Sequence, residues 1–161
     1  MKKIITMLLF ATTFAAFSQA FSGKGDIKGQ VGFSTQNGGN GLNLTFDHGI
    51  GENMSYGFSG VYLLNSTHNG FDLEFKDRFD LKARFNANIG NVLKLPANID
   101  VYPGLNLGLR NFGAHLGVRY FFTEGFGIFT ESSIPISKFD KNASIYNNQY
   151  VFNIGASFNL K

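Results

Sequence analysis

Glu74-Phe75-Lys76-Asp77-Arg78-Phe79-Asp80-Leu81-Lys82-Ala83-Arg84-Phe85-Asn86-Ala87-Asn88-Ile89 is the stretch on which the fold turns. Its apolar residues, Phe75, Phe79, Leu81, Ala83, Phe85, Ala87 and Ile89, fall on odd positions, and only Asp77 interrupts them. The even positions hold Glu74, Lys76, Arg78, Asp80, Lys82, Arg84, Asn86 and Asn88. Successive side chains of a strand point to opposite faces, so this period-two pattern predicts a strand over 74–89 with one greasy and one charged face.

Seven further segments repeat the pattern with fewer charges. Ile27, Gly29, Val31 and Phe33 alternate with Asp26, Lys28, Gln30 and Ser34; Leu42, Leu44 and Phe46 alternate with Asn43, Thr45 and Asp47. Tyr56, Phe58, Gly60, Tyr62 and Leu64 share one face of a third strand. Ile99, Val101, Leu105, Leu107 and Leu109 oppose Asp100, Tyr102, Asn106 and Arg110, and Ala114, Leu116, Val118, Tyr120 and Phe122 oppose His115, Gly117 and Arg119. Phe126 to Ser137 is the least regular; Ile128, Ile134 and Ile136 are assigned to the apolar face and Glu131 to the polar one. Tyr150, Phe152, Ile154, Ala156 and Phe158 close the series. Gly- and Asn-rich turn signals separate the segments at 37–41, 49–53, 66–70, 90–96, 111–113, 123–125 and 139–148. Eight amphipathic strands joined by short connections predict an all-β, antiparallel, up-and-down barrel, which leaves no strand edge unpaired.

The leader sets the compartment. Lys2 and Lys3 precede a mostly apolar run from Ile4 to Phe17, and Ser18-Gln19-Ala20 offers a small-residue cleavage site. Residues 1–20 therefore read as a cleaved signal peptide and residues 21–161 as one domain. The leader carries two of the 14 Lys and Arg residues, so the remaining chain is nearly balanced against 11 acids and has no nucleic-acid footprint. No Cys is present, which excludes disulfides, thiol catalysis and a lipid-modified cysteine. Gly 20, Phe 19 and Tyr 6 against Pro 3 is a β composition. After the leader no apolar run is long enough for a membrane helix, so a bilayer can be crossed only by strands.

Two barrels fit eight such strands: a soluble, lipocalin-like ligand carrier with an apolar interior, and a transmembrane barrel with a polar one. Strands near the 9 to 11 residues needed to cross a bilayer, aromatics towards the strand ends and the exported leader favour the second. The expected interior network is Arg78, Asp80, Lys82, Arg84, His115, Arg119 and Glu131, its mixed signs supplying mutual partners. The expected lipid-facing aromatics are Phe79, Phe85, Tyr120, Phe122, Tyr150, Phe152 and Phe158.

With these features the chain resembles the small eight-stranded outer-membrane barrels of the OmpA and OmpX type and the wider group of bacterial outer-membrane β-barrel domain proteins. The resemblance covers residues 21–161 and includes the closing segment Tyr150-Val151-Phe152-Asn153-Ile154-Gly155-Ala156-Ser157-Phe158-Asn159-Leu160-Lys161, similar to the strand that the barrel assembly machinery recognises. Members commonly end on an aromatic residue, whereas here three residues follow Phe158. The resemblance implies residence in the bacterial outer membrane after export through the periplasm, and as partners outer-membrane lipids and that machinery.

Chemistry is sparse in the pattern. His48, His68 and His115 lack the close spacing of metal ligands, and Asp47-His48 reads as a turn. No G-x-S-x-G motif accompanies His115, so a hydrogen-bonded interior histidine is expected, not a hydrolase. Gly23 to Gly29 has the wrong spacing for a phosphate loop. No catalytic, cofactor or metal site is expected. The expected role is structural or surface interaction, through loops at 36–41, 66–73 and 139–148, with a narrow pore as the alternative.

Overall fold

The computed structural model describes residues 19–66, 75–139 and 146–161. Eight strands close in chain order into an antiparallel up-and-down barrel. They are β1 (Ile27–Gln36), β2 (Gly39–Gly49), β3 (Met54–Ser66), β4 (Phe79–Ala87), β5 (Ile99–Gly108), β6 (Asn111–Phe121), β7 (Phe126–Lys138) and β8 (Val151–Asn159). β8 returns to β1, from Lys28↔Asn159 to Gln36↔Val151, so neither has a free edge.

The alternation read from the sequence governs which side each residue faces. On β4, Asp80, Arg84 and Asn86 are buried while Leu81, Ala83 and Phe85 are exposed. On β1 the buried positions are Lys28, Gln30, Gly32, Ser34 and Gln36, and on β2 they include Asn43, Thr45 and Asp47. β7 resolves as read: Ile128, Ile134 and Ile136 lie outside, Phe129 and Glu131 inside. The inside of the barrel is therefore its polar side. Apolar side chains are the outer wall, with Phe33 at 69 % and Leu44 at 66 % exposure.

Three expectations need correction. The strand expected over 74–89 is shorter, because Phe75–Arg78 forms one helical turn, α1, and β4 starts at Phe79. Phe75 and Phe79 are four residues apart, a spacing that keeps both rings on one side of a helical turn as well as of a strand. They stack at 5.9 Å outside the barrel. The turns expected at 37–41 and 111–113 are two-residue connections instead, Asn37-Gly38 and Leu109-Arg110, with Gly39 to Gly41 and Asn111 to Gly113 already in strands. Asp47 and His48 belong to β2, not to a turn: Asp47 points in, and His48 meets the Tyr56 ring outside at 5.6 Å. The expected leader up to residue 18, His68 and most of the loops expected at 66–73 and 139–148 lie outside the described residues.

Seven of the eight seams carry eight to eleven residue pairs. The β4–β5 seam carries five, from Lys82↔Gly108 to Asn86↔Gly104. Register shifts at Asn40/Gly41 and Phe112/Gly113 sit near the end of the barrel that carries the β1–β2 and β5–β6 turns, and Pro135 is beside the second, where a missing N–H is tolerated. At the opposite end the chain ahead of β1 folds against the rim: the Gly25 N–H donates to Gly49 O at 2.7 Å and the Ser22 N–H to Asp26 Oδ2 at 3.0 Å.

Candidate functional site: the barrel interior and its outer mouth

Five acids, Asp26, Asp47, Asp80, Asp100 and Glu131, share the interior with four bases, Lys28, Lys82, Arg84 and Arg119. An isolated buried charge is very costly, so near-balance of signs is what allows this filling. At mid-height Arg84 is the hub. Its Nε lies 3.2 Å from Asp47 Oδ1 and its Nη2 donates to Glu131 Oε2 at 2.7 Å. Arg119 is fully buried; its Nε donates to Asp100 Oδ2 at 3.2 Å, its Nη1 stands 4.0 Å from Asp47 Oδ2, and its guanidinium lies 4.2 Å from the Tyr102 ring centre. Asp47 thus links the two arginines, and Tyr102 is stacked against the more buried one. The Tyr102 hydroxyl accepts from Gln30 Nε2 at 3.3 Å.

Glycine makes room for this layer. A Cβ at Gly117 would run into the Tyr102 ring, and one at Gly104 into His115. His115 Nε2 sits 2.7 Å from Asn86 Oδ1, and Nδ1 sits 3.3 Å from Asn106 Nδ2. Nε2 also lies 3.1 Å from Arg84 Nη2, a donor that calls for a lone pair where Asn86 Oδ1 calls for a hydrogen, so these contacts fix the position of the ring and not its tautomer. Its neighbours hold the ring at both nitrogens, and Asn106 also donates to Ser133 Oγ at 3.4 Å.

Towards the end with the termini, Lys28 Nζ donates to Asp26 Oδ1 at 2.6 Å and lies 5.2 Å from the Phe121 ring centre. Asp100 accepts there from Asn88 Nδ2 at 2.8 Å and from the Gly90 N–H at 3.2 Å. Towards the other end Lys82 approaches Asp80 at 3.6 Å.

That end, which carries the β1–β2 and β5–β6 turns, is closed by the chain returning to β8. Tyr146 is buried against Val61 and Leu63, forming a small apolar cluster inside the mouth. Gln36 clamps the next residue: its Oε1 accepts from the Asn147 N–H at 2.7 Å and its Nε2 donates to Asn147 Oδ1 at 3.1 Å. Asn111 Nδ2 donates to Asn147 O and Asn148 Oδ1, and Gln149 Nε2 to Asn37 O at 2.7 Å. Gly38, at φ +77°, turns the chain tightly under the Tyr146 ring. Residues 146–148, expected in an outward loop, are thus folded into the mouth.

One cavity inside, of about 20 Å³, is bordered by Asn43, Lys82, Arg84, Asn106, His115 and Glu131, among others. That is room for about one water molecule. Among the described residues no three His, Asp or Glu side chains converge as a metal group.

Of the residues singled out in the sequence, Arg84, His115, Arg119 and Glu131 meet in the middle layer, and Asp80 with Lys82 forms a separate pair nearer the mouth. Arg78 is half-buried in α1, outside the strands. Asp47, Tyr102, Asp100, Asn86, Gln30 and the Asp26–Lys28 pair belong to the interior too. The polar face of each alternation was their signal.

On the outer wall the aromatics gather at two levels. Tyr62, Phe75 and Phe79 form one group beside α1. Tyr120, Phe122, Phe126 and Phe158 form a chain of ring contacts, 5.0 to 6.2 Å apart, at the end with the termini. Phe85 and Tyr150 are exposed, Phe152 is half-buried, and the Tyr150 hydroxyl lies 3.0 Å from Ser132 Oγ.

An eight-stranded antiparallel barrel with a charged, filled interior and an apolar wall is the class of protein that the fold and site define. The chain belongs to a family of unknown function, DUF6646, whose model matches residues 11–160. No curated protein matches it.

Proposed function

We propose that this chain is an integral protein of the bacterial outer membrane, a barrel of the OmpA and OmpX kind, exported with residues 1–20 as a removable leader. The observation that carries the reading is the reversed polarity of the barrel. All eight strands turn large apolar side chains outward, among them Phe33, Leu44, Phe58, Phe85, Leu107, Leu116, Ile134 and Ile154, while arginine, lysine and carboxylates fill the inside. A water-soluble protein rarely leaves so continuous an apolar surface uncovered, whereas a bilayer covers it. Strands of 9 to 13 residues suit the span, and the two aromatic levels suit its two interfaces.

In this reading both termini face the periplasm, outer-membrane lipids surround the wall, and the assembly machinery engages β8 during insertion. The role is structural or one of surface contact at the end carrying α1 and Tyr146, with no catalysis. Membrane fractionation, followed by gel migration with and without heating in detergent, tests the proposal. A membrane-bound form that runs compact when unheated and shifts on boiling is expected. A freely soluble mature protein would sink the reading.

A further inference from the structure

The polypeptide ahead of β1 crosses the end of the barrel that carries the termini. On one side it is fastened to the end of β2, where the Gly25 N–H donates to Gly49 O and the Gly49 N–H donates back to Asp26 O at 2.8 Å. On the other side the Ala20 N–H donates to Ala97 O at 2.8 Å, just ahead of β5. β1 and β5 stand on opposite sides of the closed ring of strands. Residues 20–25 are therefore a strap over this opening, turned at Gly23 and Gly25, whose φ values are +88° and +85°. Ala20 is fully buried, and Phe21 borders a small hollow with Leu95, Pro96 and Ile99. Ala20 is thus the far anchor of the strap.

The sequence at the anchor offers a leader peptidase two bonds, since such enzymes ask for small residues one and three positions before the cut. A cut after Ala20 would use Ser18 and Ala20; a cut after Ser18 would use Ala16 and Ser18. The first carries the anchor away with the leader, and the second keeps it. We propose that the leader is removed between Ser18 and Gln19, so that the mature chain retains Ala20 in the strap, and that the new N-terminal Gln19 closes to pyroglutamate. This rests on the export reading above and moves the leader boundary from residue 20 to residue 18. Water adds across the Ser18–Gln19 peptide bond, its hydroxyl to the Ser18 carbonyl carbon and its hydrogen to the Gln19 nitrogen. The freed amino nitrogen then attacks the side-chain Cδ of the same residue, and the carboxamide nitrogen departs as ammonia. Gln19 is exposed, so its side chain has room to fold back on its own amino end.

The intact mass of the full chain, expressed in an exporting bacterium and extracted with detergent, tests this together with sequencing of its first tryptic peptide, which ends at Lys24. The expected peptide spans 19–24 and is lighter by one ammonia than its residues require. A chain that begins at Gln19 without that loss overturns the cyclisation alone. One that begins at Phe21 overturns the cut and leaves the leader reading intact, whereas a chain that still carries residues 1–18 sinks the export reading and the inference with it. Two variants separate the bonds. Ala20→Leu puts a large residue directly before the alternative bond and is expected to leave the start at Gln19; Ala16→Leu spoils the third position before the proposed bond and is expected to abolish that start. The opposite pair of results overturns the assignment. In the mature protein the Ala20 amide is expected to exchange slowly with solvent, and exchange as fast as in an unfolded chain overturns the strap as the reason for keeping Ala20.

Discussion

The middle of the barrel is closed by Arg84, Arg119, Asp47, Glu131, Asp100 and Tyr102, all on strands; the outer mouth is closed by Tyr146 and by the amides of Gln36, Asn111, Asn147 and Gln149. The first closure uses full charges that cannot be separated without stranding one of them in a place with little water. The second uses neutral hydrogen bonds and one small apolar cluster, and half of it rides on a segment outside the strands. Buried charge pairs are costly to break but contribute little net stability beyond a well-packed apolar filling. Neutral amide contacts are individually modest, at about 1 kcal/mol each. The middle is therefore built to be permanent, while the mouth can be released without dismantling the wall.

The sharpest way to break that contrast is Arg84→Ala, which strips Glu131 of its buried partner and leaves Asp47 with Arg119 alone at 4.0 Å. A loss of about 3–5 kcal/mol is expected for such an orphaned charge, read as a lower urea midpoint of the compact unheated gel form. A methyl group at Gly117 comes next, because it meets the Tyr102 ring inside a filled layer. Gly117→Ala is expected to cost about 1–3 kcal/mol in the same assay, and Tyr102→Leu in the same chain should recover part of it. Gln36→Ala removes the clamp on Asn147 and the contact with Gln149, three neutral bonds in all, and is expected to cost about 1–3 kcal/mol. Its distinctive reading is faster amide exchange at Asn147, with exchange at Arg84 and His115 unchanged. In planar bilayers Gln36→Ala should stay non-conducting because the charged layer still fills the barrel; current through it would make the mouth the gate and the middle a lining. Asp77→Ala should matter least. Among the described residues it breaks the partly exposed 3.6 Å contact with Arg110 at the rim, and a shift under about 1 kcal/mol is expected.

The wall was legible from sequence because a barrel strand has one repeating instruction, and β4 states it without ambiguity from Phe79 to Ala87. The start of β4 was not, since Phe75 and Phe79 satisfy two geometries at once and only Asp77, out of phase, marked the change. Asp47 was read two ways, as the inward end of the second alternation and, with His48, as a turn, and the pairing of β2 with β1 and β3 decides for the strand. The polar faces pointed to the right side for Tyr102 and Asp100, but partners such as Arg84 with Glu131, 47 residues apart, are fixed by register across strands that alternation does not encode. The fold of residues 146–148 into the mouth had no local signal: a Tyr-Asn-Asn run reads as a loop tip until Gln36 and Asn111 are known to stand beneath it.

The five-pair seam also bears on how the barrel comes apart. Sheets open first where the fewest backbone bonds must break together, so heating or pulling should part β4 from β5 while β1 and β8 stay joined over nine pairs. The first intermediate would be one curved sheet, β5 to β8 followed by β1 to β4, in which the strands from the two ends of the chain lie side by side at the centre. The order of loss along the polypeptide would then run from the middle outward, and the ends would be the last to let go.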